Sequence, residues 1–141
     1  MSIKGVGCLF CPIAAGDALA HVVLDEGGIV AFLDIHPLFP GHVLVIPKEH
    51  VETLTELAVE KVGPLFLAVR RVGAAVEVAM AADGSFVAIN NRVSQSVPHL
   101  HVHVVPRNRR DGLRGFMWPR QRYPDDAAMA ATAAAIRLAL E

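Results

Sequence analysis

The sequence predicts an α+β protein built from an antiparallel sheet of about five strands, one long central helix and a C-terminal helix. Three observations predict this fold class: short β-branched segments bounded by turn residues, a middle segment with apolar positions at helical spacing, and an alanine-rich end. The chain has 141 residues, of which 53% are hydrophobic and 19% are charged. It is therefore long enough to bury one core and too apolar to remain disordered.

The strands are predicted in two pairs. Segments 29–33 and 43–46 are β-branched and apolar, and the residues between them are rich in proline and glycine, which predicts an antiparallel pair. Segments 85–89 and 100–105 have the same character and are separated by the polar loop 90–98. The predicted order is therefore strand, strand, helix, strand, strand.

The long helix is predicted over 59–82, with Gly84 ending it. Pro64 is compatible with a helix that starts later than residue 59, because a proline in the first turn lacks only an amide that would have no helical partner. A second helix is predicted over 127–140, after the acidic residues Asp125 and Asp126. The apolar positions that set the period of the first helix are Leu65, Val69, Val72, Val76 and Met80.

We expect one domain over 1–141, with a core of about 8–107 and a C-terminal extension over 108–141. The 13 basic and 14 acidic residues nearly cancel, so nucleic acid is not an expected partner. No N-terminal segment resembles a signal peptide, and no apolar run reaches the roughly 20 residues that cross a bilayer. We therefore expect a cytoplasmic protein without a membrane partner.

Three histidines alternate with aliphatic residues after the polar loop. On a strand, His99, His101 and His103 share one face, while the aliphatic residues between them lie on the other. His99 and His103 are then about 13 Å apart, so one metal ion cannot bind all three. A neutral imidazole attacks phosphorus well when its other nitrogen is held by an acceptor, and His101, flanked on both sides, is the best candidate.

A second motif lies near the N-terminus. Cys8 and Cys11 have the two-residue gap that lets two thiolates bind one tetrahedral zinc ion. Redox dithiols and occasional disulfides use the same spacing, and a pair of free thiols is a further alternative. The motif alone leaves these alternatives open.

The sequence resembles the histidine-triad (HIT) family. Gln95-Ser96-Val97-Pro98-His99-Leu100-His101-Val102-His103 matches the signature of that family, and segments 32–34 and 40–48 extend the match upstream. The resemblance covers most of 8–107 and implies a HIT-like fold and a homodimer whose sheet continues across two subunits. Ser94 stands where the family often has glycine, which affects the details of the phosphate loop.

The resemblance also implies an activity. It implies an enzyme of the phosphoramidase or dinucleoside polyphosphate hydrolase type, a phosphohydrolase or nucleotidyl transferase acting at the α-phosphate of a purine, adenosine-type nucleotide. A covalent nucleotidyl group on His101 is the implied intermediate, and AMP is the implied product. The implied catalytic residues are His101, His103, His42 and Ser96, and the implied nucleotide-binding residues are Asp34 at the ribose, Ile35 at the base, and Asn90, Gln95, Ser96, His101 and His103 near the phosphate.

Bacterial relatives that this chain resembles bind zinc through two cysteines and two histidines. The resemblance therefore implies a structural zinc ion held by Cys8, Cys11, His50 and His99, and no catalytic cofactor. This role also separates His99 from the chemistry at His101.

Two other functions remain open from the sequence. One is a nucleotide-binding regulator with little turnover, and the other is a zinc enzyme that uses His101 and His103 as ligands. The leaving group and the preference for adenine over guanine also remain open. The arginine-rich segment 107–122 with its interleaved aromatics could contact phosphates or bases, or form a solvated loop, so we assign no site residue there.

Overall fold

A computed structural model describes residues 6–113 and 120–141. The chain divides into two compact units, Met1–Arg109 and Arg110–Glu141, and each is described by itself. The single domain over 1–141 stays a prediction. Of the arginine-rich segment, Arg114, Phe116 and Trp118 lie outside the described residues.

The first unit is a five-stranded sheet with a long helix, which confirms the predicted α+β fold class. The strand order is β1-β2-β3-β5-β4, and every neighbouring pair is antiparallel. In chain order the elements are α1 Phe10–Ala15, β1 Val22–Glu26, β2 Ile29–Leu33, β3 Val43–Pro47, a 3-10 turn Leu54–Glu56, α2 Val59–Ala79, β4 Gly84–Ala88 and β5 Val102–Arg107.

Two of these elements were not predicted from the sequence. β1 is an edge strand with four of its five residues exposed, so it lacks the apolar alternation that marks the other strands. The Gly27-Gly28 pair that joins β1 to β2 was an available hairpin signal, and both glycines have positive φ, 58° and 82°. α1 is a six-residue helix that ends at Gly16 in the left-handed conformation.

Two predicted boundaries are wrong, and so is the later start of the long helix, because α2 begins at Val59 with Pro64 inside it. α2 ends at Ala79, and Ala81 takes the left-handed conformation (φ 49°), whereas Gly84 begins β4. β5 begins at Val102 and not at residue 100, because the Leu100 N–H donates to the Val51 carbonyl (2.7 Å) instead of to a neighbouring strand.

The central strands are buried on both faces. On one face, residues of β2, β3 and β5, together with Leu100 just before β5, pack against α2 around Leu65 and Val72. The strand residues on this face include Ala31, Val45, Val102 and Val104. On the other face, Val30, Phe32, Leu44 and Ile46 pack against Cys8, Phe10 and Val97. This double burial explains why the strand segments are nearly continuous apolar runs.

The two-sided core fixes where the histidines lie. Leu100, Val102 and Val104 face α2. His99, His101 and His103 alternate with these residues, so they face the opposite side, towards the N-terminal segment. His103 pairs with Leu44 in β3 and with Ala88 in β4, so it lies in the middle of the sheet.

Gly41 is the point where α2 approaches the chain just before His42. Its φ is +96°, and a Cβ there would lie 2.6 Å from Met80 Cγ and 3.3 Å from Pro106 Cγ. Gly41→Ala is therefore expected to lower the free energy of unfolding by about 2 kcal/mol, from backbone strain and displacement of Met80.

Urea unfolding with Gly28→Ala as the matched control tests this prediction. Gly28 also has a positive φ, +82°, but nothing lies within 4 Å of a Cβ there. The Gly28 variant should have the backbone strain without a contact like that with Met80. An equal decrease in the free energy of unfolding in the two variants would therefore contradict a role for Met80.

The described part of the second unit, residues 110–113 and 120–141, contains one helix, α3 Asp126–Ala139, close to the predicted 127–140. The Asp125 carboxylate caps it by accepting from the Ala128 N–H at 2.8 Å. Within residues 6–113 and 120–141, no helix has the length and apolar character needed to span a bilayer.

Candidate functional site

Two groups of side chains with reactive nitrogen or sulfur atoms lie on the sheet face opposite α2. One consists of His101, His103, His42 and Asp34, and the other of Cys8, Cys11, His50 and His99. His99, at 0% exposure, belongs to the second group, whereas His101 and His103 belong to the first, with ring centroids 5.0 Å apart. The alternating histidines therefore belong to two neighbouring groups of side chains.

The tautomer of His101 is set by the main chain. Its Nδ1 lies 2.7 Å from the carbonyl oxygen of His99, which can only accept, so Nδ1 carries the proton and donates. Nε2 of the neutral ring then keeps its lone pair. The side chain is 3% exposed, which limits the hydration of that ring.

His42 and His103 form a directed hydrogen-bond chain. The Leu38 N–H donates to His42 Nδ1 at 3.1 Å, so the proton of neutral His42 lies on Nε2. That Nε2–H donates to His103 Nδ1 at 2.9 Å, and the proton of neutral His103 therefore lies on its own Nε2. The chain ends in an N–H donor beside His101, in a position suited to an oxygen that gains negative charge.

Burial keeps both members of this chain neutral. Burial, with the neighbouring His101 and His42 rings, lowers the pKa of His103 to about 4. Burial also lowers the pKa of His42, although the Asp34 carboxylate, 3.7 Å from its Nε2, opposes that shift. Near neutral pH the pair therefore donates hydrogen bonds without carrying charge.

This burial predicts a loss of stability in mild acid. Unfolded His103 binds a proton near pH 6.5 and folded His103 near 4, so between these values the unfolded state holds more protons. The contribution of neutral His103 is complete above about pH 6.5 and falls by up to about 1.4 kcal/mol per pH unit as the pH drops towards 4. Urea unfolding across this range measures it.

His103→Gln provides the control, because glutamine keeps polar atoms at this position but does not titrate. Its stability should decline less steeply with falling pH than that of the native protein. Parallel profiles would contradict the assignment of this pH dependence to His103.

Asp34, His42 and His103 are close enough together to hold a metal ion. However, metal binding at Nε2 of neutral His42 would move its proton to Nδ1, where the Leu38 N–H already points. The local hydrogen bonds therefore favour a proton chain at this group. Among the described residues, the ligand atoms of Asp34, His42 and His103 lie within 4.8 Å of one another, but His101 is not part of this closely placed set.

The second group has the geometry of a tetrahedral metal site. The Nδ1 atoms of His50 and His99 lie 3.3 Å apart, and the sulfur to nitrogen distances are 3.3–3.6 Å. Tetrahedral zinc with ordinary bond lengths places two nitrogens about 3.3 Å apart and a sulfur about 3.6 Å from a nitrogen. Cys8, Cys11, His50 and His99 therefore fit one zinc ion.

The protonation of this group also suits a metal. The Nε2–H of His99 donates to the Pro47 carbonyl at 2.8 Å, which leaves Nδ1 unprotonated and turned towards the cysteines. Burial and the neighbouring Cys8 raise the pKa of Cys11 to about 11, so without a cation its thiol stays protonated. A bound divalent ion would displace that proton and use the thiolate.

The remaining predicted residues lie in loops outside the helices and strands. Asp34 is half-buried, and its Oδ1 accepts from the His36 N–H at 2.8 Å, whereas Ile35 is 82% exposed. Asn90 is half-buried after β4, and Ser96 is exposed.

Gln95 bonds both within its own loop and to the segment before the 3-10 turn. Its Oε1 accepts from the Arg92 N–H, and its Nε2 donates to the Glu52 carbonyl at 2.7 Å. Ser94 has a positive φ of 60°, which explains why glycine suits this position.

Sequence reasoning missed two contributors to the site. Phe10 packs edge-on against His101, with ring centroids 5.1 Å apart, and its place between the two cysteines was the available signal. The Leu38 amide fixes His42, but a backbone group has no residue-type signal.

Fold and site together define a small α+β protein that gathers imidazoles on one face of an antiparallel sheet. The chain belongs to the HIT family, because the HIT domain matches residues 15–110. An uncharacterised HIT-like protein of Mycobacterium tuberculosis is 37% identical over 126 residues, which are 86% of each chain.

Two relatives from Schizosaccharomyces pombe are named as enzymes. Adenosine 5′-monophosphoramidase hnt1 is 33% identical over 115 residues, covering 81% of this chain and 84% of that enzyme. The asymmetrical bis(5′-nucleosyl)-tetraphosphatase is 41% identical over 83 residues, covering 57% of this chain and 46% of that enzyme. The family relatives of this chain therefore include nucleotide hydrolases.

Solved structures agree with the fold. SMU.412c of Streptococcus mutans has a TM-score of 0.87 and 36% identity, covering 99% of this chain and 88% of that protein. A zinc-bound histidine-triad protein of Mycobacterium smegmatis has a TM-score of 0.72 and 36% identity, covering 92% of this chain and 98% of that protein.

Proposed function

We propose that this protein is a nucleotide phosphohydrolase or nucleotidyl transferase that acts at the α-phosphate through a covalent intermediate on His101. The observation that carries this proposal is the 2.7 Å hydrogen bond from His101 Nδ1 to the His99 carbonyl. It leaves the lone pair on Nε2, and an imidazole in this state is a nucleophile at neutral pH.

In the first displacement, His101 Nε2 forms a bond to the α-phosphorus while the bond to the leaving group breaks. The electron pair of the broken bond departs with the leaving group. The Nε2–H at the end of the His42–His103 chain donates to a phosphate oxygen, which stabilises the charge that develops there.

In the second displacement, water attacks phosphorus and the phosphorus to nitrogen bond breaks. The electron pair returns to His101 Nε2, the attacking water releases one proton to solvent, and a nucleoside monophosphate leaves. Another hydroxyl acceptor in place of water gives nucleotidyl transfer. Both displacements take place without a catalytic metal.

The proposed substrate is a purine nucleotide of the adenosine type, with AMP as product. The names of the two Schizosaccharomyces enzymes support this class. Asp34 is proposed to accept from the ribose hydroxyls, and Ile35 to contact the base from its exposed position. Asn90, Gln95 and Ser96 are proposed to donate near the phosphate and leaving group, Gln95 through its second amide hydrogen.

Cys8, Cys11, His50 and His99 are proposed to hold structural zinc. When bound, zinc crosslinks the N-terminal segment to the residues before β5, and its four protein ligands leave no open position for catalysis. The zinc-bound relative from Mycobacterium smegmatis supports the choice of metal. Since metal binding needs reduced cysteines, we also propose a cytoplasmic location.

We further propose a homodimer that extends the sheet. β4 is an edge strand, and its Val87 is 45% exposed. Pairing with a second copy would satisfy the unpaired backbone groups of that edge.

The experiment that tests the proposed function follows AMP release from adenosine 5′-phosphoramidate and from a diadenosine polyphosphate. Mass spectrometry of protein quenched during turnover should show one added nucleotidyl group, located on His101. AMP binding without product release would instead support a nucleotide-binding regulator.

A further inference from the structure

We propose that the Cys8–Cys11 loop positions His101, with Phe10 as the positioning residue that couples the metal group to the nucleophile. The inference rests on the proposed role of His101 and adds a function for the metal group beyond structural stability. Two independent connections between the groups carry it.

The first connection is the side chain of Phe10. Phe10 lies between the two candidate thiolate ligands in sequence, and its ring is buried on the face that carries His101. The ring meets His101 edge-on, with centroids 5.1 Å apart and planes at 87°, and it meets His99 at 6.2 Å. An aromatic ring held in this way restricts rotation of the imidazole and excludes water from that side.

The second connection is the backbone of His99. Its ring lies in the metal group through Nδ1, while its carbonyl oxygen accepts from His101 Nδ1. Any shift of His99 that follows metal loss therefore moves the acceptor that fixes the His101 tautomer. The same ring is anchored from the other side by the Pro47 carbonyl.

The two connections act on different degrees of freedom of one imidazole. Phe10 limits how the His101 ring turns, and the His99 carbonyl determines which nitrogen keeps the lone pair. A ligated Cys8–Cys11 loop holds both in place, whereas without the metal only apolar packing, such as that against Phe32, keeps Phe10 beside His101. Since misplacement by about 1 Å can reduce a rate about a hundredfold, this coupling is large enough to measure.

The test compares Phe10→Leu with Phe32→Leu. Phe32 belongs to the same buried cluster and packs against Phe10 at 5.3 Å, so both variants lose one aromatic ring from one core. Protein labelled with ¹⁵N at histidine reports the His101 tautomer by NMR, with His101→Ala used to assign the signal. The spectra are recorded for both variants and for native protein before and after zinc removal and readdition.

We expect Phe10→Leu to lower kcat by about ten- to a hundredfold with little change in KM. In this variant and in zinc-free native protein, the His101 signals should move away from those of the pure Nδ1–H tautomer, and zinc readdition should restore the native protein. Phe32→Leu should stay close to native in both respects.

Three results would overturn the inference. Phe10→Leu could match Phe32→Leu in kcat and in the His101 spectrum, it could raise KM instead of lowering kcat, or zinc removal could leave the His101 signals unchanged. If native protein releases no AMP, the proposed function fails, and the NMR spectra still decide whether Phe10 and the metal group position His101.

Discussion

Replacing His101 by alanine is expected to lower the rate of AMP release by at least about a thousandfold, because the covalent route is lost with the nucleophile. The remaining groups would still bind the nucleotide and donate to its phosphate, so AMP binding should change little. Steady-state kinetics on the phosphoramidate substrate and equilibrium binding of AMP measure the two effects separately.

The matched control is His21→Ala, which removes an exposed histidine outside the site and should leave the rate unchanged. His103→Ala should show an intermediate loss of about a hundredfold, since it removes a donor without removing the nucleophile. A His101→Ala protein that keeps a tenth of the native rate would rule out His101 as the nucleophile.

Removal of the metal is expected to destabilise the protein by several kcal/mol. A ligand that binds only the folded state contributes about 4 kcal/mol when its free concentration is a thousand times its Kd. The four ligands join segments far apart in sequence, so the unfolded chain has no comparable site. Urea unfolding with zinc or with a chelator, together with metal analysis of the purified protein, measures this effect.

His50→Gln and His21→Gln make the comparison specific, since both replace a histidine by a neutral amide. Only His50 lies in the metal group, so its variant should bind less zinc and lose most of the zinc-dependent stabilisation. Less than about a tenth of an equivalent of zinc in native protein would reject the site.

The fold class was predictable because apolar periodicity decides it. The apolar runs that form β2, β3 and β5 are buried on both faces of the sheet. The apolar stripe of α2 covers one of these two faces. β1 lacks that signal because it is an exposed edge strand. The ends of α2 and β5 depend on Ala81 and on a hydrogen bond to Val51, which local sequence does not encode.

The spacing of an extended strand predicted that His99 and His103 cannot share one metal ion. The structure places them in different groups, although β5 begins only at Val102. Which side chains join each group depends on contacts across long sequence distances. The contact of Cys11 with His50 and the contact of His42 with His103 are of this kind. Residue types suggest such partners, but only the fold shows that they meet.

The imidazoles have their protonated nitrogen chosen mainly by peptide groups: the Leu38 amide for His42, the His99 carbonyl for His101 and the Pro47 carbonyl for His99. These groups belong to the backbone at residues 38, 47 and 99, so a side-chain substitution there does not remove them. The one exception is proline at 38, which has no N–H. Substitutions at these positions therefore leave unchanged which ring nitrogen of each histidine carries the proton. Under the proposed function, a substitution at the exposed Ile35 would change base selection without moving any of these backbone groups.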